Sequence, residues 1–170
     1  MDDDQGEPRL PVRSILFVCT GNIFRSVAAE YGLKSLVGQP SPYHIGSAGI
    51  DAKPQPVHEW VKHCLSHKGA DVSGHVQRQL TKELLAETDL VVAMSLDHQE
   101  FIRREFGRHA PLFKQLCYGC DEAIPDLHER YPDWEQDLES ARHYVTSVID
   151  MIWLDLPSFL YRLPLERPQS

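Results

Sequence analysis

Eight consecutive residues carry most of the chemistry in this chain: Cys19, Thr20, Gly21, Asn22, Ile23, Phe24, Arg25 and Ser26. They place a thiol, a guanidinium and two hydroxyls within one short loop. Such a loop suits an oxyanion. Arg25 offers a planar fork that binds two oxygens at once. The thiolate of Cys19, rather than its thiol, is a nucleophile. Gly21 is expected to take a backbone angle that a Cβ would resist, and Asn22 tolerates the left-handed region. Ser26 is expected to cap the helix that follows and to donate a hydrogen bond to the sulfur. A cysteine ending a buried strand is also, in general, a small core hydrophobe, so the loop's context matters.

That context is strand, loop, helix. Ile15, Leu16, Phe17 and Val18 are an apolar run of the kind a parallel sheet buries on both faces. Residues 26–37 lack proline and read as a helix whose first N–H groups face the loop. Tyr43-His44-Ile45 reads as a second strand, entering Gly46-Ser47-Ala48-Gly49, where small side chains permit close approach of a neighbouring loop. Val57, Trp60, Val61, Cys64 and Leu65 have helical spacing, and Gly69 closes that helix. Thr81 is placed to cap a short helix near 82–86. Leu90 to Met94 is a third buried strand, followed by a helix over 96–106 with Leu96, Ile102 and Phe106 available to the core, and Leu112-Phe113 marks a short fourth. From 134 to 156, Leu138, Ala141, Val145, Val148, Ile149, Ile152 and Leu156 recur at three and four, an amphipathic helix that Pro157 is expected to end.

Size and charge narrow the function classes. The chain has 170 residues, 42% hydrophobic and 25% charged, which suits one soluble domain. A formal net charge of −8 argues against nucleic acid or an anionic membrane as partner, and no apolar run approaches spanning length. Residues 1–12, acidic and holding two prolines, read as a disordered leader, and 13–156 as the domain. Residues 157–170 form an extension rich in Phe159, Leu160, Tyr161, Leu163 and Leu165, suited to covering an edge or contacting a second subunit. Cys117-Tyr118-Gly119-Cys120 leaves three readings open: inert thiols, a local redox pair, or a weak metal site with His109 or His128.

Ile15 to Glu30 resembles the signature of the low-molecular-weight protein tyrosine phosphatases. The similarity continues through Gly46-Ser47-Ala48-Gly49, His75 to Glu83 and Ile124-Pro125-Asp126. The resemblance implies an α/β fold: a four-stranded parallel sheet flanked by helices in three layers, with a phosphate-binding loop after the first strand. It implies a cytoplasmic phosphomonoesterase acting through a phosphocysteine, with no cofactor and no metal. Its substrate would be a phosphorylated protein, phosphotyrosine first, or a small phosphate ester; phosphate and other oxyanions would inhibit. By this resemblance Cys19 is the nucleophile, Arg25 the phosphate ligand and Asp126 the general acid. Thr20 to Ser26 hold the phosphate; Asn22, Ser26, Ser47 and His75 support the loop.

The chain departs from the family in four places. No aromatic residue stands in Ile50 to Pro56, and Leu127 and His128 replace a proline and an aromatic after the acid. Tyr118, Tyr131 and Trp134 are the candidates to restore the missing substrate wall. Phe24 stands where many members carry a second, protective cysteine. Three alternatives stay open: a thiol-dependent arsenate reductase, a protein arginine phosphatase (whose loop has threonine where this chain has Ile23), and a non-catalytic phosphate or phosphoprotein binder.

Overall fold

The computed structural model describes residues 11–163. Its centre is β1 (Ser14–Cys19), whose side chains alternate between two buried faces. Strands β2 (His44–Gly49) and β3 (Leu90–Ala93) flank it in the order β2-β1-β3, both parallel to it. Phe17 pairs with Ser47 on one side and Val92 on the other. Parallel neighbours need crossovers, and helices supply them. Helix α1 (Arg25–Val37) joins β1 to β2; α2 (Glu59–His67) and α3 (Lys82–Ala86) lie between β2 and β3. After β3 come α4 (Leu96–Phe106), α5 (Phe113–Tyr118), α6 (Leu127–Arg130) and α7 (Leu138–Arg162).

The alternation of β1 creates two cores. Ile15 and Phe17 face the larger, filled by α1, α2, α5 and α7; Leu16 and Val18 face the smaller, closed by Leu80, Leu85 and Ile102. Helices α1 and α7 pack closely because of Gly32, where a Cβ would stand 2.5 Å from Leu156 Cδ1. Trp153 of α7 lies across that contact and donates its Nε1–H to the Ala28 carbonyl at 3.1 Å.

Several expectations are corrected. Among the described residues the sheet has three strands rather than four. At Leu112 a single parallel bridge to Ala93 forms, then Phe113 enters α5. Pro111 accepts from the Ala93 N–H at 2.9 Å but has no N–H of its own, so no longer ladder builds there. Pro157 does not end the last helix; α7 runs through it to Arg162. The proline sits on the exposed side, while the next turn buries Phe159 completely between Phe17 (5.4 Å between centroids) and Phe113 (5.7 Å, stacked). An interior helical proline costs about 3 kcal/mol. Burying one phenylalanine offsets roughly 1.5–3 kcal/mol of that, and Leu163 adds to it. Leu96, expected in the core, is 54% exposed; the inward-facing position of that turn is taken by His98, which is buried. Of the leader, residues 1–10 lie outside the described residues, and Val12 already packs against the core. Leu165 also lies outside them.

Candidate active site

The carboxyl ends of the three strands converge, and the loop from Cys19 to Arg25 lies over them. Its position is set by backbone bonds to the chain leaving β2: Ile50 N–H to the Cys19 carbonyl at 2.9 Å and Asp51 N–H to the Thr20 carbonyl at 3.0 Å. This approach requires Gly49. A Cβ there would collide with the Thr20 carbonyl oxygen and stand 3.0 Å from the Asn22 nitrogen. The left-handed residue is Asn22, φ 55°. Asn22 thus takes the left-handed angle expected of it, whereas Gly21 lies outside that region and a Cβ on it would meet Ile23 Cγ1 at an ordinary 3.5 Å.

Asn22 is buried and uses both ends of its amide. Its Nδ2 donates to Ser26 Oγ at 3.0 Å and to Ser47 Oγ at 2.8 Å, while Oδ1 accepts the Arg78 N–H at 3.0 Å. The Asn22 carbonyl accepts from His75 Nε2 at 3.0 Å. Ser47 passes its own hydrogen to Glu30 Oε1 at 2.5 Å, and Lys34 closes the series on Glu30 Oε2 at 2.6 Å. Directions follow from the ends of this chain. Ser26 Oγ accepts from Asn22 and lies 2.9 Å from the Cys19 sulfur, to which its own hydrogen is free to point. Ser26 does not cap α1, which begins one residue earlier, at Arg25, with no side-chain cap.

Arg25 is 1% exposed and held from behind. Its Nη1 donates to Ser95 Oγ at 2.9 Å and to the Ile124 carbonyl at 2.8 Å, while Nη2 reaches Thr20 Oγ1 at 3.4 Å and lies 3.4 Å from Asp126 Oδ2. The Nε–H has no protein partner among the described residues. A buried guanidinium hydrogen without an acceptor is rare in proteins, and an oxyanion at the loop would satisfy it. Ser95 and His98 stand behind the guanidinium; His98 is fully buried, with Nδ1 accepting the Ser95 N–H at 3.1 Å and Nε2 2.9 Å from Thr20 Oγ1.

Asp126 caps α6, its Oδ1 accepting the Leu127 N–H at 2.8 Å and its Oδ2 3.5 Å from His128 Nδ1. Without the family's proline, the segment is held otherwise. Ile124 N–H bonds the Met94 carbonyl at 2.9 Å, the Tyr144 hydroxyl of α7 donates to the Pro125 carbonyl, and Leu127 is buried in the larger core.

Above the loop is a cleft of about 320 Å³. Cys19, Arg25 and Asp126 line it together, as do Thr20, Gly21, Ile23 and Phe24. Of the three wall candidates, Trp134 enters the cleft, with His58 beside it at 6.2 Å between ring centroids. Trp60 backs Trp134 edge-on at 5.8 Å. Tyr118 bonds Asp155 instead, and Tyr131 packs on Tyr144. Cys117 is buried, and burial, reinforced by Asp155, pushes its thiol up to about 12, consistent with an inert thiol. Among the described residues no cluster of three or more His, Cys, Asp or Glu is arranged to hold a metal. Ser95, His98, Tyr144 and His58 escaped the sequence reading. Only the Ser95-x-x-His98 spacing, a serine three residues before a polar side chain at a helix start, carried a local signal.

Residues 14–160 match the family model described as low molecular weight phosphotyrosine protein phosphatase. The low molecular weight protein-tyrosine-phosphatase Ptp of Acinetobacter johnsonii is 36% identical over 117 residues, covering 69% of this chain and 81% of that protein. A protein-arginine-phosphatase of Bacillus subtilis (strain 168) is 37% identical over 97 residues, 56% of this chain and 64% of that one. Among solved structures, a YwlE arginine phosphatase mutant with a phosphorylated active-site serine has a TM-score of 0.75 at 26% identity, covering 88% of this chain and 94% of its own.

Proposed function

Because the chain belongs to the low molecular weight phosphotyrosine protein phosphatase family, we propose that it hydrolyses phosphate monoesters through a phosphocysteine formed on Cys19. The observation that carries this reading is the Arg25 guanidinium: buried, fixed from behind, and holding an Nε–H without a partner among the described residues, in the same loop as a cysteine in hydrogen-bond contact with Ser26. In the first step Cys19 Sγ attacks phosphorus and the ester P–O bond breaks. Arg25 and the loop N–H groups hold the equatorial oxygens, and Asp126 protonates the departing oxygen. In the second, water attacks phosphorus, Asp126 takes its proton, and the P–S bond breaks to restore the thiolate. Ser26 eases that departure by its bond to the sulfur.

Trp134 and His58 beside the cleft favour an aryl ester, hence phosphotyrosine in a protein. Two compared proteins are arginine phosphatases, so phosphoarginine is the second reading; Ile23, lining the cleft, weighs toward tyrosine. Arsenate reduction would need a relay thiol, and Cys19 is the sole cysteine lining this cleft among the described residues. Free thiols suit the cytoplasm. The test is hydrolysis of p-nitrophenyl phosphate, phosphotyrosine peptide and phosphoarginine in EDTA, by wild type, Cys19→Ser and Asp126→Ala. Activity that survives chelation, vanishes in Cys19→Ser and falls at least tenfold in Asp126→Ala supports the reading. Phosphate binding without turnover in reduced wild type would replace it with the binder.

A further inference from the structure

Thr20 carries a hydroxyl whose hydrogen-bond polarity is determined by its neighbours. The Ser95 N–H donates to His98 Nδ1, so that nitrogen presents its lone pair and the neutral ring carries its proton on Nε2. Nε2 stands 2.9 Å from Thr20 Oγ1 and therefore donates to it. Asp97 Oδ2, 3.6 Å from the same nitrogen, agrees with a proton there. Arg25 Nη2–H donates to the same hydroxyl oxygen at 3.4 Å. A hydroxyl has two lone pairs and one hydrogen. Both lone pairs are taken, and among the described residues no protein acceptor lies within hydrogen-bond distance of the oxygen. Only its O–H remains, and Thr20 lines the cleft beside Cys19 and Arg25.

We propose that His98 is a positioning residue that makes the Thr20 hydroxyl an obligate donor, adding one side-chain hydrogen bond to the phosphate oxygens held by the loop. The proposal rests on the phosphate-site reading above and deepens it. A second arrangement is excluded by chemistry: a cationic His98 would set Nδ1–H against the Ser95 N–H, next to the Arg25 charge. Burial first, and Arg25 second, hold the ring neutral, with its pKa lowered to about 4. His98 never touches the phosphate; it acts only through Thr20.

The test is a double-mutant cycle read by calorimetric binding of inorganic phosphate and, separately, by kcat and KM for p-nitrophenyl phosphate. Thr20→Val and His98→Leu should each weaken phosphate binding by about 10- to 100-fold, the range for a hydrogen bond to a charged group. The double variant should lose no more than the worse single. His98→Gln, whose amide N–H can reach Thr20, should recover most of the loss, and a merely structural role for His98 would not predict that rescue. Additive losses, or unchanged binding in Thr20→Val, would overturn the proposal. Should His98→Leu not fold, Thr20→Ser against Thr20→Val decides, since only serine keeps the donor; equal binding by the two refutes it. Phosphate binding with this pattern but without turnover sinks the hydrolase reading alone. Absence of phosphate binding by wild type sinks both.

Discussion

Acid should destabilise this protein through His98 in a way that one substitution removes. In the unfolded chain this imidazole titrates near 6.5; in the folded protein, burial and the Arg25 guanidinium lower it to about 4 against the opposing pull of Asp97 and Asp126. Between those values the unfolded chain binds a proton that the folded one refuses. Stability is therefore fully present above pH 6.5 and is lost as pH falls, until the folded form also protonates near 4. At 1.36 kcal/mol per unit, the complete loss is about 3 kcal/mol, of which about 2 kcal/mol is gone by pH 5. The assay is urea unfolding at pH 7.5, 6, 5 and 4.5 for wild type and His98→Gln, the glutamine being uncharged throughout. The wild-type curve should fall below the variant's by about 2 kcal/mol more at pH 5 than at pH 7.5, other titrating groups cancelling in the comparison. Parallel curves across this range would refute the reasoning, because they would mean that His98 is as easily protonated folded as unfolded.

Three further outcomes are expected. Tyr144→Phe removes the hydroxyl bonded to the Pro125 carbonyl; it should lower kcat several-fold for alkyl phosphates, whose leaving groups need Asp126's proton, and less for p-nitrophenyl phosphate, with a stability loss of about 1 kcal/mol in a denaturant titration. Trp134→Ala should raise KM for aryl phosphates by roughly tenfold while leaving alkyl phosphates within about twofold, as steady-state kinetics on the two series would show. Gly49→Ala drives a methyl into the Thr20 carbonyl; a drop of at least about 100-fold in kcat/KM with an unchanged far-UV circular dichroism spectrum is expected, since the loop shifts and the sheet does not.

The loop was legible because its parts are contiguous. Cys19, Asn22, Arg25 and Ser26 lie within eight residues, and their residue types alone state what an anion needs. Strands β1 and β3 announced themselves as unbroken apolar runs, and α4 ended at Gly107, which takes φ 65°. The residues behind the loop were not legible, because distance along the chain hides them. Ser95 and His98 lie 70 or more positions from Arg25 and Thr20, the loop groups they bond, and as single polar residues at a helix start they resemble many others. Tyr144 was unreadable for the same reason: nothing local says that a tyrosine on the last helix braces a loop carbonyl 19 residues earlier. The two corrected segments have different causes. Pro157 is a helix terminator by its backbone alone, but Phe159 beyond it is buried between Phe17 and Phe113 and the helix runs on. Leu112-Phe113 is an apolar pair suited to a strand, but Pro111 beside it has no N–H and only the bridge to Ala93 forms.

The division of the interior into two clusters has a consequence for synthesis. Every residue of the smaller cluster precedes Phe113, so that side of the sheet can consolidate while later segments are still being translated. The larger cluster takes seven of its buried members from α7, namely Ala141, Val145, Val148, Ile149, Ile152, Leu156 and Phe159, and an eighth, Leu163, from just beyond it. Until that helix leaves the ribosome, Phe17 lacks Phe159 and α1 lacks Leu156 and Trp153 over Gly32, so this face of the sheet is only partly covered. A chain stalled within the codons for α7 would therefore already contain every residue of the loop and Asp126, yet have an incomplete roof over the strand that carries Cys19.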